Sequence, residues 1–143
     1  MLVIDASALA ALLLPEDGSE EVEKAVSEVE KVSTLDLAAY EVGSAVWRRV
    51  RRGELSPDEG GVVVSTLLSL LDTFEVYHYR EVVADAFKLA VGVGVTVYDA
   101  AYVVLARRLN APLLTLDKEL LRKFPDVVYM PTFNSPADLG NHA

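Results

Sequence analysis

The chain contains no cysteine. Disulfides, thiolate zinc sites and a cysteine nucleophile are excluded together. Histidine is nearly as scarce, with only His78 and His142. A Ser–His hydrolase pair and a histidine metal cluster therefore have little to be built from. No apolar stretch approaches the ~20 residues of a membrane span. ALAALLL near the start is apolar, but no Lys or Arg precedes it, Asp5 interrupts the run and Pro15-Glu16-Asp17 ends it. It does not read as a signal peptide. The expectation is a soluble cytoplasmic protein, and the lack of cysteine suits a reducing compartment.

Positive charge is in short supply. Thirteen Lys and Arg face 22 Asp and Glu, a net charge of −9. The sum argues against nucleic acid, whose binders usually show a basic footprint. The distribution qualifies the sum. Glu16, Asp17, Glu20, Glu21, Glu23, Glu28 and Glu30 make one acidic segment, whereas Arg48, Arg49, Arg51 and Arg52 make a basic one. The 143 residues suit one domain, of a size that buries roughly 68–70% of its unfolded surface.

LVID, VSTL, FEVYHY, PLLTL and VVYM are short apolar runs that read as strands. Helical stretches alternate with them. ASALAALLL is ended by Pro15, and Ser19 is placed to cap a helix from about 20 to 30. Leu37 to Arg52 stops at Gly53, and Ser56-Pro57 starts a helix running to about Leu71. Arg80 to Val91 ends in GVGV. Asp99 to Leu109 closes at Asn110, a left-handed cap, and Asp117 to Lys123 is short. Apolar strands alternating with helices predict a three-layer α/β/α sandwich around a parallel sheet of four to five strands. Residues 1–130 form the expected domain, and 131–143, without periodicity, are expected to be loosely ordered.

In such folds ligands sit beyond the carboxyl ends of the strands. Asp5 follows the first strand, Asp117 the fourth, and Asp99 opens a helix after the Gly-rich turn. Each could simply cap its helix, a role worth about 0.5–2 kcal/mol over Ala. Glu41 cannot, because it lies inside the 37–52 helix. Its neighbours three and four residues away are Leu37, Ala38, Ser44 and Ala45, so it has no local basic partner. Acids in apolar settings repel when unpaired, by about 1 kcal/mol at 4 Å in water and ~4 at an effective dielectric near 20. A hard divalent cation resolves that repulsion, and all-oxygen ligation suits Mg²⁺ or Mn²⁺. Such an ion lowers the pKa of water and polarises a phosphoryl group without a protein nucleophile.

VIDASALAALLL, YEVGSAVWR and TVYDAAYVVLARRLNAPLLTLDKEL together resemble the PIN domain family, most closely its VapC toxin members. The resemblance runs from residue 2 to about 129. It implies a Mg²⁺-dependent endoribonuclease whose catalytic, metal-binding quartet falls on Asp5, Glu41, Asp99 and Asp117. It also implies the toxin half of a toxin–antitoxin pair, an antitoxin partner of the VapB kind and a homodimer. Ser7 and Thr115 match small hydroxyl positions near the family's metal site. Hydrogen bonding to the ligands is their expected role, with turn capping the alternative.

Arg48 and Arg52 share a helix face with Glu41, with Arg48 two turns from it, about 10 Å along the axis. They are candidates for guiding an RNA backbone to the acids, or for a solvated face. Trp47 could stack a base, but a place in the core or at a dimer contact is preferred. His78 is read as structural within its apolar strand. A housekeeping PIN nuclease is the competing enzyme, disfavoured by the absence of an added RNA-binding module, and a non-catalytic binding domain is opposed by the intact quartet. A receiver-like phosphoacceptor would need an aspartate ending the third strand and a late lysine, which FEVYHY and PLLTL do not supply.

Overall fold

The computed structural model describes residues 1–131. Expectations for the tail beyond Pro131 lie outside the described residues. The chain begins with β1 (Leu2–Ile4), α1 (Ala6–Leu13), α2 (Ser19–Ser27) and β2 (Val32–Leu35). It continues through the long hairpin of α3 (Leu37–Arg51) and α4 (Pro57–Leu71) to β3 (Glu75–Tyr77) and a single 3₁₀ turn at Tyr79–Glu81. It closes with α5 (Val83–Val93), α6 (Val97–Leu109), β4 (Leu113–Leu114), α7 (Lys118–Lys123) and β5 (Val128–Tyr129).

The five strands form one sheet in the order β3-β2-β1-β4-β5, every neighbouring pair parallel. β1 is central, with Leu2 and Val3 opposite Val32 and Ser33, and Val3 and Ile4 opposite Leu113 and Leu114. Its three apolar residues are buried, and each such side chain contributes about 1.5–3 kcal/mol relative to exposure. On the helical side, α6 lies against β1, β2 and β4 and packs along α5, while α1 packs against α2, α3 and α4. The architecture is the expected three-layer α/β/α sandwich with a parallel sheet. α6 carries an unbroken buried run from Ala100 to Ala106, which explains why its apolar residues encircle the helix rather than forming a stripe. No single helix among the described residues is long and apolar enough to cross a membrane.

Several boundaries differ from expectation. β3 covers only Glu75–Tyr77 of FEVYHY and is exposed, because it sits at the sheet edge. His78 is therefore not in a strand. It is exposed, and its Nδ1 accepts from the Arg80 N–H to open the 3₁₀ turn. That turn delays the helix expected at Arg80, and α5 starts at Val83. The cap of α2 is Gly18 with φ +92°, not Ser19. Leu116 methyls lie 3.2 Å from where a Cβ on Gly18 would be, so the turn is both left-handed and tightly covered. Ser19 instead ties the preceding loop, accepting from Glu16 N–H and donating to Leu14 C=O. The helix also ends at Ser27 rather than near 30.

Candidate active site

β1 ends into Asp5, whose backbone N–H donates to Leu114 C=O of β4. Asp5 caps α1: its Oδ1 accepts from Ala8 N–H at 3.0 Å and from Ser7 Oγ at 2.7 Å. Ser7 has one hydroxyl proton, and it goes to Asp5. Ser7 Oγ therefore accepts the bond from Thr115 Oγ1, 3.2 Å away, and also accepts from Leu116 N–H at 3.0 Å. Thr115 Oγ1 in turn accepts from Asp117 N–H at 3.0 Å. These bonds pin the loop after β1 to the loop after β4 and orient both aspartates. Ser7 and Thr115 thus serve hydrogen bonding and turn formation at once.

Asp117 caps α7, with Oδ1 accepting from Glu119 N–H at 2.9 Å. Asp99 caps nothing. α6 begins two residues earlier, and Thr96 is the cap, its hydroxyl accepting from Asp99 N–H at 3.1 Å. Asp99 therefore stands in the first turn of α6, where the helix dipole favours a carboxylate. Glu41 lies on α3, and its Oε1 accepts from the buried phenol of Tyr102 at 2.8 Å. A third strand-end acid, Asp36 after β2, is structural. Its two oxygens accept from Leu37 N–H and Tyr79 N–H.

The electrostatics bring the quartet together. Burial pushes Asp5 up to about 6, with the charge of Asp99 adding to the rise and the Ser7 and Ala8 donors opposing it. Burial also raises Glu41, against the pull of Tyr102, and Asp99 contributes again. Asp99 itself is raised by burial and then by the charge of Asp117. Asp99 is thus the hub, felt by Asp5 and Glu41 and feeling Asp117. No arginine among the described residues pairs with any of the four. Nor are any three of them, among the described residues, drawn tightly enough to cage a cation with direct bonds from all three.

A depression of about 410 Å³ beside the quartet is lined by Leu37, Tyr40, Glu41, Ser44, Arg48 and Tyr98. Arg48 therefore shares a wall with Glu41, as its spacing predicted. Arg52 is the α3 cap residue, one turn farther out and off that wall. The other arginines of the basic segment have partners: Arg49 reaches Glu16 and Glu54, and Arg51 lies over the Trp47 ring. Trp47 is 60% exposed, so it is not a core residue.

Sequence reasoning missed three participants. Thr96 was signalled by the T-x-x-D spacing of a helix start. Tyr102 was visible only as an apolar neighbour of Asp99, and Asp36 only as the residue after VSTL.

Four acids gather at the carboxyl edge of the parallel sheet, Glu41 and Asp99 from two helices and Asp5 and Asp117 from the ends of two strands. Burial with neighbouring carboxylate charge raises Asp5, Glu41 and Asp99; this edge is the candidate site. The PIN domain family pattern matches residues 2–126, and the chain belongs to the PIN domain family. Ribonuclease VapC3 of Pyrobaculum aerophilum is 51% identical over 127 residues, which are 89% of this chain and 97% of that protein. Exonuclease VapC9 of the same organism is 32% identical over 130 residues, 91% and 90% of the two chains. Among solved structures, a toxin–antitoxin complex from Klebsiella pneumoniae superposes with a TM-score of 0.67 at 15% identity, covering 90% of this chain and 97% of that one. That likeness is one of fold.

Proposed function

We propose that this chain is a Mg²⁺-dependent endoribonuclease, the toxin of a type II toxin–antitoxin pair. The observation that carries the reading is the Asp99-centred quartet, in which Asp5, Glu41 and Asp99 are all held above the ordinary carboxylate range. The donor set fits a hard cation: every candidate ligand is a carboxylate oxygen, and their shared repulsion is what such an ion relieves. Mg²⁺ retains several waters and takes one or two carboxylates directly. That suits acids which are close enough to feel one another but not closed around one point. Mn²⁺ is expected to substitute.

The chemistry a bound ion supplies is water activation and neutralisation of charge on the phosphoryl group. The chain's own residues supply the rest. Asp5 and Asp99 would hold the cation, with Glu41 and Asp117 as further ligands or orienters of bound water. Ser7 and Thr115 fix the direction of Asp5. Arg48, on the wall beside Glu41, would neutralise one substrate phosphate, with Arg52 contacting the backbone farther out.

The VapC name of the relatives and the toxin–antitoxin origin of the structural neighbour support an antitoxin partner. So does an apolar depression between α3 and α4, lined by Tyr40, Gly43, Trp47, Val64 and Leu68, a form suited to a docked helix. A homodimer is supported by the exposed stripe of Val83, Phe87 and Val91 along α5. A cytoplasmic location follows from an RNA substrate.

An exonuclease is the second reading, favoured by the name of one relative. Circular and linear RNA separate the two. Purified protein with Mg²⁺ is expected to cut both, and EDTA or Asp99→Asn to stop both. Cutting of the linear form alone would establish the exonuclease, and undiminished cutting by Asp99→Asn would refute the site.

A further inference from the structure

Tyr102 is only 2% exposed and sits inside the buried run of α6. It lies three residues after Asp99, on the same helical face. Its hydroxyl donates to Oε1 of Glu41, 61 residues away on α3. Asp5 and Asp117 each have one oxygen fixed by backbone N–H groups at a helix start. Glu41 lies mid-helix, where the backbone N–H groups are already used. It also has more rotatable bonds to restrain than an aspartate. Among the described residues, the bond that holds its head group comes from Tyr102.

Resting on the ribonuclease reading above, we propose that Tyr102 is a positioning residue: its phenol holds Oε1 of Glu41 so that Oε2 is the oxygen offered to the cation and its waters. α6 then governs two of the four acids, Asp99 directly and Glu41 through Tyr102. A hydroxyl serving the core alone would need only to be satisfied. This one is spent on an acid of the quartet, and groups that orient metal ligands typically alter metal affinity 10–100-fold when removed.

The test is a double-mutant cycle read by calorimetric titration with Mn²⁺ alone. Wild type, Tyr102→Phe, Glu41→Gln and the double variant are compared, with circular dichroism confirming the fold. Tyr102→Phe is expected to weaken Mn²⁺ binding about tenfold or more, and to have no further effect once Glu41 is Gln. Unchanged affinity, or an equal loss in both backgrounds, overturns the proposal. If the Phe variant does not fold, Tyr102→Met removes the donor with a more adaptable side chain. Failure of both to fold assigns the hydroxyl to structure and also overturns the proposal. If wild type takes up no Mn²⁺, the metal reading fails separately, and cleavage kinetics decide. A lower kcat at unchanged KM for Tyr102→Phe supports positioning, and unchanged kinetics refute it. A wild-type protein that neither binds Mn²⁺ nor cuts RNA overturns both readings.

Discussion

Replacing Asp5 by Asn should make the metal-free protein more stable while destroying its activity. Asp5 is 5% exposed, and its pKa rises to about 6 in the fold, against ~3.9 in an unfolded chain. Two units at 1.36 kcal/mol each give about 3 kcal/mol of strain from keeping it ionised at neutral pH. The Asn carbonyl can still accept from Ser7 and Ala8. Allowing for imperfect accommodation of the amide, a net gain of about 1–3 kcal/mol is expected. That raises Tm by roughly 3–10 °C in a chain of this length.

The sign can be followed through pH. Between about 4 and 6 the folded state holds a proton on Asp5 that the unfolded state has released. Wild-type stability therefore falls as pH rises through that window. The Asn variant lacks this contribution. Its advantage should be absent near pH 4, grow through the window and level off above pH ~7. Groups common to both proteins cancel. The assay is thermal or urea unfolding of both proteins in EDTA at several pH values. Adding Mg²⁺ at a hundred times its Kd should then give wild type about 2.7 kcal/mol, with a smaller gain for the variant. A variant less stable than wild type at pH 7.5 in EDTA, or an advantage that does not change with pH, refutes the reasoning.

Other substitutions probe the surroundings. Arg48→Ala should weaken RNA binding and reduce the salt slope by about one, whereas Arg49→Ala, held by Glu16 and Glu54, should leave that slope unchanged in filter-binding measurements. Ser7→Ala removes the donor to Asp5 and leaves Leu116 N–H without its acceptor; urea titration should show a loss of about 1–3 kcal/mol. Gly60→Ala would place a Cβ 2.9 Å from Val50 Cγ2 at the α3–α4 crossing and should cost about 1–3 kcal/mol. Gly43→Ala meets nothing within 4 Å and should add about 0.4–1 kcal/mol.

Where local chemistry decides the structure, the sequence was readable. Ser56, Pro57 and Glu59 announced α4, and they form a full capping box. Asn110 is left-handed, with φ 51°, at the end of α6. Where a distant partner decides, it was not. Nothing in FEVYHY shows that it lies at the edge of the sheet, so its burial was overstated. Gly18, not Ser19, is the α2 cap, and the cover over that left-handed turn comes from Leu116, almost a hundred residues away in sequence. The four acids were identifiable because each interrupts an apolar pattern. Their mutual influence through Asp99, and the grip of Tyr102 on Glu41, depend on how α3 meets α6. Helical spacing within either segment does not reveal that meeting.

The position of β1 has a consequence for synthesis. The strand made first lies in the middle of the sheet, and one of its two neighbours, β4, is made more than a hundred residues later. A nascent chain halted before Leu113 lacks one flank of its central strand, Thr115 and Asp117. Its Asp5 loop has nothing to be pinned against. On the ribonuclease reading, a growing polypeptide surrounded by the ribosome's own RNA would remain harmless until nearly all of the described chain had been translated.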